Sequence, residues 1–160
     1  MPSQAGGMQY SLDTSALLNP WRKFYPRDLF PTLWERYEQA LEDGTAVATE
    51  LVLIELEKQD DEVLAWAKER PVMFRPLDEK IQEVVTGILR DYPRLVDTRK
   101  SRSGADPFVI ALGQIEGRAV VTYEGATNKI DRPNIPDVCE ALSIPCVTFI
   151  EMARQQGWRI

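Results

Sequence analysis

Ala119-Val120-Val121-Thr122-Tyr123-Glu124 is the stretch that decides the fold. Its first four residues carry no charge and run on without polar alternation. A strand of that kind is buried on both faces, as strands in the middle of a parallel sheet are. Just upstream, Asp106-Pro107 opens a nearly all-apolar helix over 107–115, with Asp106 read as its cap, Pro107 at the first helical position and Gly117 past its end. Downstream, a loop over 124–134 leads to a helix over 136–142, a strand Cys146-Val147-Thr148, and a last helix over 149–155.

Strands alternate with helices back to the start of the chain. Met8-Gln9-Tyr10-Ser11-Leu12 reads as a strand that ends at Asp13-Thr14-Ser15. Residues 19–31, rich in Pro and aromatics, read as irregular. A helix over 31–41 follows from Leu33, Trp34, Tyr37 and Leu41, with Gly44 as its stop. Ala46-Val47-Ala48 is a brief buried strand. Thr49 caps a helix with Leu51, Ile54 and Leu56 as apolar positions, and Asp60-Asp61 caps another over 62–69, which Pro71 stops. Residues 78–89 form an amphipathic helix through Ile81, Val84, Val85 and Ile88, and a polar, basic loop spans 91–104. The pattern is α/β with a central, mostly parallel sheet. A flexible segment over 1–8 precedes a single domain over 9–160.

The bulk numbers remove many functions. With 44% hydrophobic and 28% charged residues, the 160-residue chain has the composition of an ordinary globular domain. No apolar run approaches a membrane span, and residues 1–7 lack the basic start and apolar stretch of a signal peptide. The expectation is therefore a cytoplasmic protein without a membrane partner. A net charge of −6 argues against coating nucleic acid by charge alone, although two basic clusters stand out: Arg22-Lys23 with Arg27, and Arg99-Lys100 with Arg102. The chain has no histidine. Ser-His and Cys-His nucleophile pairs and paired-histidine ribonuclease chemistry are therefore excluded. The two cysteines, Cys139 and Cys146, are too few for a zinc site and read as small buried hydrophobes. Hydrolysis would have to rely on carboxylates, lysines, or a metal held by oxygen ligands.

In open parallel sheets, ligands bind outside the carboxyl ends of the strands. Asp13 ends the first strand, Glu124 follows Thr122-Tyr123, Asp106 stands at a helix start, and Glu55 lies in an otherwise apolar helical segment. Four acids on one side repel each other unless a divalent cation neutralises them, and hard cations take oxygen ligands. Each acid also has a plainer reading. Asp13 can start a turn, Asp106 can cap its helix, Glu124 can be a solvated loop residue, and Glu55 can pair on the surface beside Glu57 and Lys58. Trp34 and Trp66 fit helix core faces, whereas Trp21, in the irregular segment, is the better base-stacking candidate, although burial is favoured there too.

The order of these acids resembles a PIN domain, a fold of metal-dependent ribonucleases that includes many bacterial toxins, and more closely a PIN-like subfamily without an assigned function. Tyr10-Ser11-Leu12-Asp13-Thr14-Ser15 is similar to the family's opening strand, whose Asp is a metal ligand. Glu55 occupies the place of the second acid. Ala105-Asp106-Pro107-Phe108-Val109-Ile110-Ala111 resembles the helix that bears the third. Val120-Val121-Thr122-Tyr123-Glu124 corresponds to the Thr-x-acid motif, with Glu where many members carry Asp. Ile135-Pro136-Asp137-Val138-Cys139-Glu140-Ala141-Leu142 is a subfamily segment with no mechanistic role attached to it. The resemblance runs from Tyr10 to about Trp158.

That resemblance implies a three-layer α/β/α fold and a Mg²⁺- or Mn²⁺-dependent endoribonuclease that hydrolyses RNA phosphodiester bonds. Asp13 and Asp106 are the first-choice ligands. Glu55 and Glu124 bind the metal directly, bind it through water, or orient the attacking water. By position, Thr14, Ser15 and Thr122 can hydrogen-bond the acids, although Ser and Thr beside a turn need no such role, and Arg99, Lys100 and Arg102, which precede the Asp106 helix, either hold RNA phosphates or form a solvated basic loop. The resemblance further implies a homodimer, a cognate antitoxin protein, and a toxin role in a type II toxin–antitoxin pair; the alternative is a catalytically silent PIN-like interaction module. Aspartyl phosphatases need a second Asp where Ser15 stands, and receiver domains need adjacent acids that are absent here.

Overall fold

The computed structural model describes residues 7–96 and 104–159. The chain runs through β1 (Tyr10–Leu12), α1 (Ser15–Asn19), a π-helical turn (Pro20–Phe24), α2 (Pro31–Glu42), β2 (Ala46–Thr49), α3 (Glu50–Gln59) and α4 (Asp61–Lys68). It continues through β3 (Phe74–Arg75), α5 (Glu79–Asp91), α6 (Asp106–Glu116), β4 (Ala119–Val121), α7 (Ile135–Ala141), β5 (Cys146–Val147) and α8 (Phe149–Gln155).

The strands form one sheet in the order β3-β2-β1-β4-β5, and every neighbouring pair is parallel. Tyr10 lies between Ala46 and Ala119, and Ser11 between Val47 and Val120, all of them buried. This is the two-faced burial that the uncharged runs require. Helices cover both faces. On one, the Ser11 hydroxyl donates to the Val109 carbonyl of α6 at 2.8 Å. At Gly113 that helix lies so close to β4 that an added Cβ would meet the Arg118 carbonyl oxygen and Val120 Cγ2 at 3.0 Å. On the other face, the Tyr10 hydroxyl donates to Gln155 of α8 at 2.8 Å, and Tyr37 of α2 packs edge-on against Phe149. The architecture is three-layer α/β/α around an all-parallel sheet, as in a PIN-like fold. No helix among the described residues is long and apolar enough to cross a membrane.

Some elements differ from the sequence reading, each for a local reason. Residues 15–24 are helical rather than irregular beyond Asn19. Ala16, Leu17 and Leu18 are buried there, and Pro20 opens the π-helical turn at a position where its missing N–H is not needed. β3 was not legible, being two residues long between Pro71 and Pro76. In α3 the inward positions are Val52, Glu55 and Leu56, while Ile54 is 44% exposed. Thr49 stands at the N-cap of α3 without a side-chain capping bond. Asp106 is not a cap either. Ala105 holds that position, and Asp106 is the first helical residue, which moves Pro107 one place inward among the N–H groups that have no helical partner.

Candidate functional site

β1 is where the strand order reverses, with β2 on one side and β4 on the other. Chains that leave the carboxyl ends of two such strands diverge and open a crevice. Asp13 follows β1 and Thr122 follows β4, and the Asp13 amide donates to the Val121 carbonyl at 2.9 Å. A cavity of about 230 Å³ lies at this point. Asp13, Glu55, Asp106 and Glu124 all line it, together with Thr14, Ser15 and Arg22.

Asp13 is 4% exposed, and its Oδ2 accepts hydrogen bonds from Ser15 Oγ (2.7 Å) and Thr122 Oγ1 (2.9 Å). Each hydroxyl then accepts a backbone N–H from the loop after β4: Ser15 from Tyr123 and Thr122 from Glu124, both at 3.0 Å. The two hydroxyls thus lock the Asp13 rotamer and the start of that loop together. Burial pushes the Asp13 carboxyl up, against the hydrogen bonds from Ser15 and Thr122.

Glu55 reaches the cavity from α3, and the Thr14 hydroxyl donates to its Oε1. Burial above all pushes its carboxyl up to about 7, and the charge of Asp13 adds to the rise; the bond from Thr14, the Ala105 amide and Lys58 oppose it. Glu55 Oε2 is buried without a hydrogen bond of normal geometry, although the Ala105 amide is near enough to favour the charged form. Asp106, 5% exposed, begins α6.

Glu124 is half-buried on the loop after β4, and its Oε1 accepts the Ile135 amide at 3.0 Å, at the start of α7. The loop between them is tied down by Asp137. That carboxylate accepts the amides of Thr127 (2.9 Å), Asn128 (2.8 Å) and Asn134 (2.8 Å), and the Thr127 hydroxyl at 3.0 Å. Burial would raise the Asp137 carboxyl, but these amides outweigh it and hold the group below the usual carboxylate range. The 135–142 segment therefore serves a structural purpose, anchoring the loop that carries Glu124. Asp137 is the site-related acid that sequence reasoning missed. The available signal was Asn134 followed three residues later by an acid, the spacing of a capping box, which the structure contains.

The donor set suits a hard divalent cation, since every group is oxygen, and the partnerless Glu55 Oε2 is the kind of buried atom that a cation would satisfy. Yet among the described residues no group of three or more Asp, Glu or Cys side chains is already gathered at ligand spacing. The four acids share one cavity without closing on one centre. Arg22 on the rim pairs with Asp60 at 2.9 Å. Arg99, Lys100 and Arg102 lie outside the described residues. Trp21 is half-buried against Trp34 and Trp66, with Arg27 over its ring at 5.0 Å, so it packs and presents no face to a base. Cys139 is buried and Cys146 half-buried.

The model of the family described as "Domain of unknown function (DUF4411)" matches residues 10–160. The chain belongs to the DUF4411 family. No curated protein matches it. Among solved structures, this DUF4411 chain is similar to the crystal structure of FitAcB from Neisseria gonorrhoeae. There the identity is 16% over 89% of this chain and 99% of that one, with a TM-score of 0.53. It is similar also to FitAB bound to an IR36 DNA fragment, with 12% identity over 95% and 97% of the two chains and a TM-score of 0.52. At these identities the likeness is one of fold.

Proposed function

We propose that this DUF4411 chain is a Mg²⁺- or Mn²⁺-dependent endoribonuclease that hydrolyses RNA phosphodiester bonds and serves as the toxin of a type II toxin–antitoxin pair. The observation that carries the reading is the convergence of Asp13, Glu55, Asp106 and Glu124, from β1, α3, α6 and the loop after β4, on one cavity at the sheet's switch point. Asp13, Asp106 and Glu55 would hold the ion, Glu55 through its partnerless Oε2. When bound, it supplies Lewis-acid polarisation of a phosphate and a water that loses its proton more readily. Ser15 and Thr122 keep the Asp13 carboxylate aimed, and Thr14 does the same for Glu55. Glu124, fixed by the Ile135 amide, orients water at the rim.

The toxin role, the antitoxin and the homodimer rest on the PIN resemblance; an acidic pocket with Arg22 on its rim suits capture by a neutralising protein. The second reading, a silent interaction module, draws on the absence of a ready-gathered ligand group among the described residues. Total RNA incubated with the chain, with and without Mn²⁺, beside Asp13→Asn, separates the two. Cleavage that needs both Mn²⁺ and Asp13 supports the nuclease, and intact RNA in every lane refutes it. Harmless expression of the active chain alone would count against the toxin role.

A further inference from the structure

Three rings form a stack that climbs from the core to the surface beside the acidic cavity. Phe149 is fully buried, Tyr123 lies on it in near-parallel contact (6.5 Å, 19°), and Phe24 lies on Tyr123 (5.2 Å, 7°). Phe24, the last residue of the π-helical turn, is 50% exposed although one face rests on Tyr123. Tyr25 also touches the Phe24 ring at a tilt (6.5 Å, 52°), and half of the Phe24 surface is left to solvent at the end of the stack. Its position is tied to the site: Tyr123 stands between Thr122, which bonds Asp13, and Glu124, which lines the cavity, and its own amide is held by Ser15. Arg22, two residues before Phe24 on the same turn, lines the cavity and pairs with Asp60 at 2.9 Å, so the turn that carries the ring also reaches the site.

We infer that Phe24 is a nucleobase platform: an unpaired base of a single-stranded RNA stacks on its open face as the fourth member of the ladder, while the adjoining phosphate lies at the acidic cavity. The inference rests on the ribonuclease reading for the substrate and adds the residue that receives a base; that base has to be unpaired, because a paired base has both faces occupied by its neighbours. Near-parallel stacking favours a base over a protein side chain, since a flat heterocycle continues the ladder. The turn explains why the ring is held there. Pro20 and the Tyr25 amide bond to the Pro20 carbonyl fix its two ends, so Phe24 is presented on rigid backbone. Base–aromatic stacking of this kind is worth about 5- to 150-fold in affinity per base.

The test uses the full chain and a fluorescein-labelled ten-nucleotide unstructured RNA, in EDTA at low salt so that nothing is cut, and again with Mg²⁺ on a short time scale. Anisotropy should show binding that weakens about 5- to 150-fold in Phe24→Ala. Phe24→Trp should restore it and Phe24→Leu should not. An abasic residue walked along the RNA should weaken the parent at one position and leave Phe24→Ala unaffected at all of them. The Leu and Trp variants both fill the surface position, so the comparison survives if the Ala variant melts early. Equal affinity of parent and Phe24→Ala overturns the inference, as does parental affinity in Phe24→Leu, which would make the ring an apolar contact for a protein partner. No RNA binding by the parent in either buffer overturns it too. Stacking-dependent binding without any cleavage would instead sink the ribonuclease reading and leave the platform standing, whereas Mn²⁺-dependent cleavage indifferent to Phe24→Ala would do the reverse.

Discussion

Replacing Glu55 with Gln keeps the side chain's length and an oxygen to accept the Thr14 hydroxyl, and removes only the charge. In the metal-free protein Glu55 holds its proton up to about pH 7 instead of the ordinary 4.5. Below pH 4.5 both the folded and the unfolded chain carry the proton, so folding bears no penalty. Between 4.5 and 7 the unfolded chain ionises while the folded one resists, and stability falls as pH rises. At about 1.4 kcal/mol per factor of ten in proton affinity, the full rise costs the folded protein about 3 kcal/mol above pH 7. Water that reaches the cavity side of Glu55 reduces this figure, and Asp13, buried beside it, shifts in the same direction and keeps part of the slope in the variant. A gain of roughly 1–3 kcal/mol is therefore expected for Glu55→Gln at pH 8 in EDTA, or roughly 2–10 °C in melting temperature for a chain of this size. At pH 4, below the ordinary value of 4.5, the two proteins should melt together. Excess Mn²⁺ at pH 8 should reverse the order, adding about 2.7 kcal/mol to the parent at a hundred times the dissociation constant and little to the variant. The ion has to displace the Glu55 proton, so the parent's Mn²⁺ affinity should rise from pH 6 to pH 8. Parallel pH–stability curves in EDTA, or a variant less stable than the parent at pH 8, would refute the reasoning.

Asp137→Ala should lower stability by about 1–3 kcal/mol, because several amides lose a charged acceptor, and should speed hydrogen exchange at Thr127, Asn128, Asn134 and Ile135. Unchanged exchange at those amides would show that the loop does not depend on it. Asp106→Asn should melt within about 1 kcal/mol of the parent, since relief of repulsion offsets the lost acid at the start of α6, while metal-dependent cleavage collapses. Cleavage at the parent rate would remove Asp106 from the site. Gly113→Ala should shift the urea midpoint down by about 1–3 kcal/mol of stability, because its Cβ meets the Arg118 carbonyl and Val120 at 3.0 Å; a neutral effect would mean that α6 can back away from β4.

The α/β pattern was legible because each long element carries its own period. Trp34, Tyr37 and Leu41 mark α2, and the uncharged runs at 46–49 and 119–121 mark strands buried on both faces. The four acids were found by order, and the structure brings them to one cavity. What escaped depends on tertiary context. β3 exists because β2 offers it an edge, not because Phe74-Arg75 looks like a strand. The α1 turn and its π-helical continuation are held by buried Leu17 and Leu18, which a local reading sets below two prolines. Trp21 read as the stacking candidate, but it packs on the Trp34–Trp66 pair, and Phe24, which no local pattern marks, ends a stack at the surface. Asp137 escaped because its partners lie on its own loop, up to ten residues upstream, at positions with no periodic pattern.

The cavity's parts come from both helical layers, and this constrains how it can respond to charge. α3 is linked to the end of β1 by Thr14 and Glu55, α6 to the middle of β1 by Ser11 and Val109, and the Glu124 loop to α7 by the Ile135 amide. Ser11 lies within a short, buried strand and Thr14 two residues past its end, and that strand cannot shift without disturbing its neighbours in the sheet. Repulsion among the acids therefore finds little relief in moving α3, α6 or the loop outward. Burial first, and the charge of Asp13 after it, push the Glu55 carboxyl up to about 7, so Glu55 holds a proton there instead. In the metal-free state a proton can take the place at Glu55 that a cation would take. The two compete for the same oxygens, and Glu55 Oε2, buried without a hydrogen bond of normal geometry beside an Asp13 whose Oδ2 is held by Ser15 and Thr122, is where they meet.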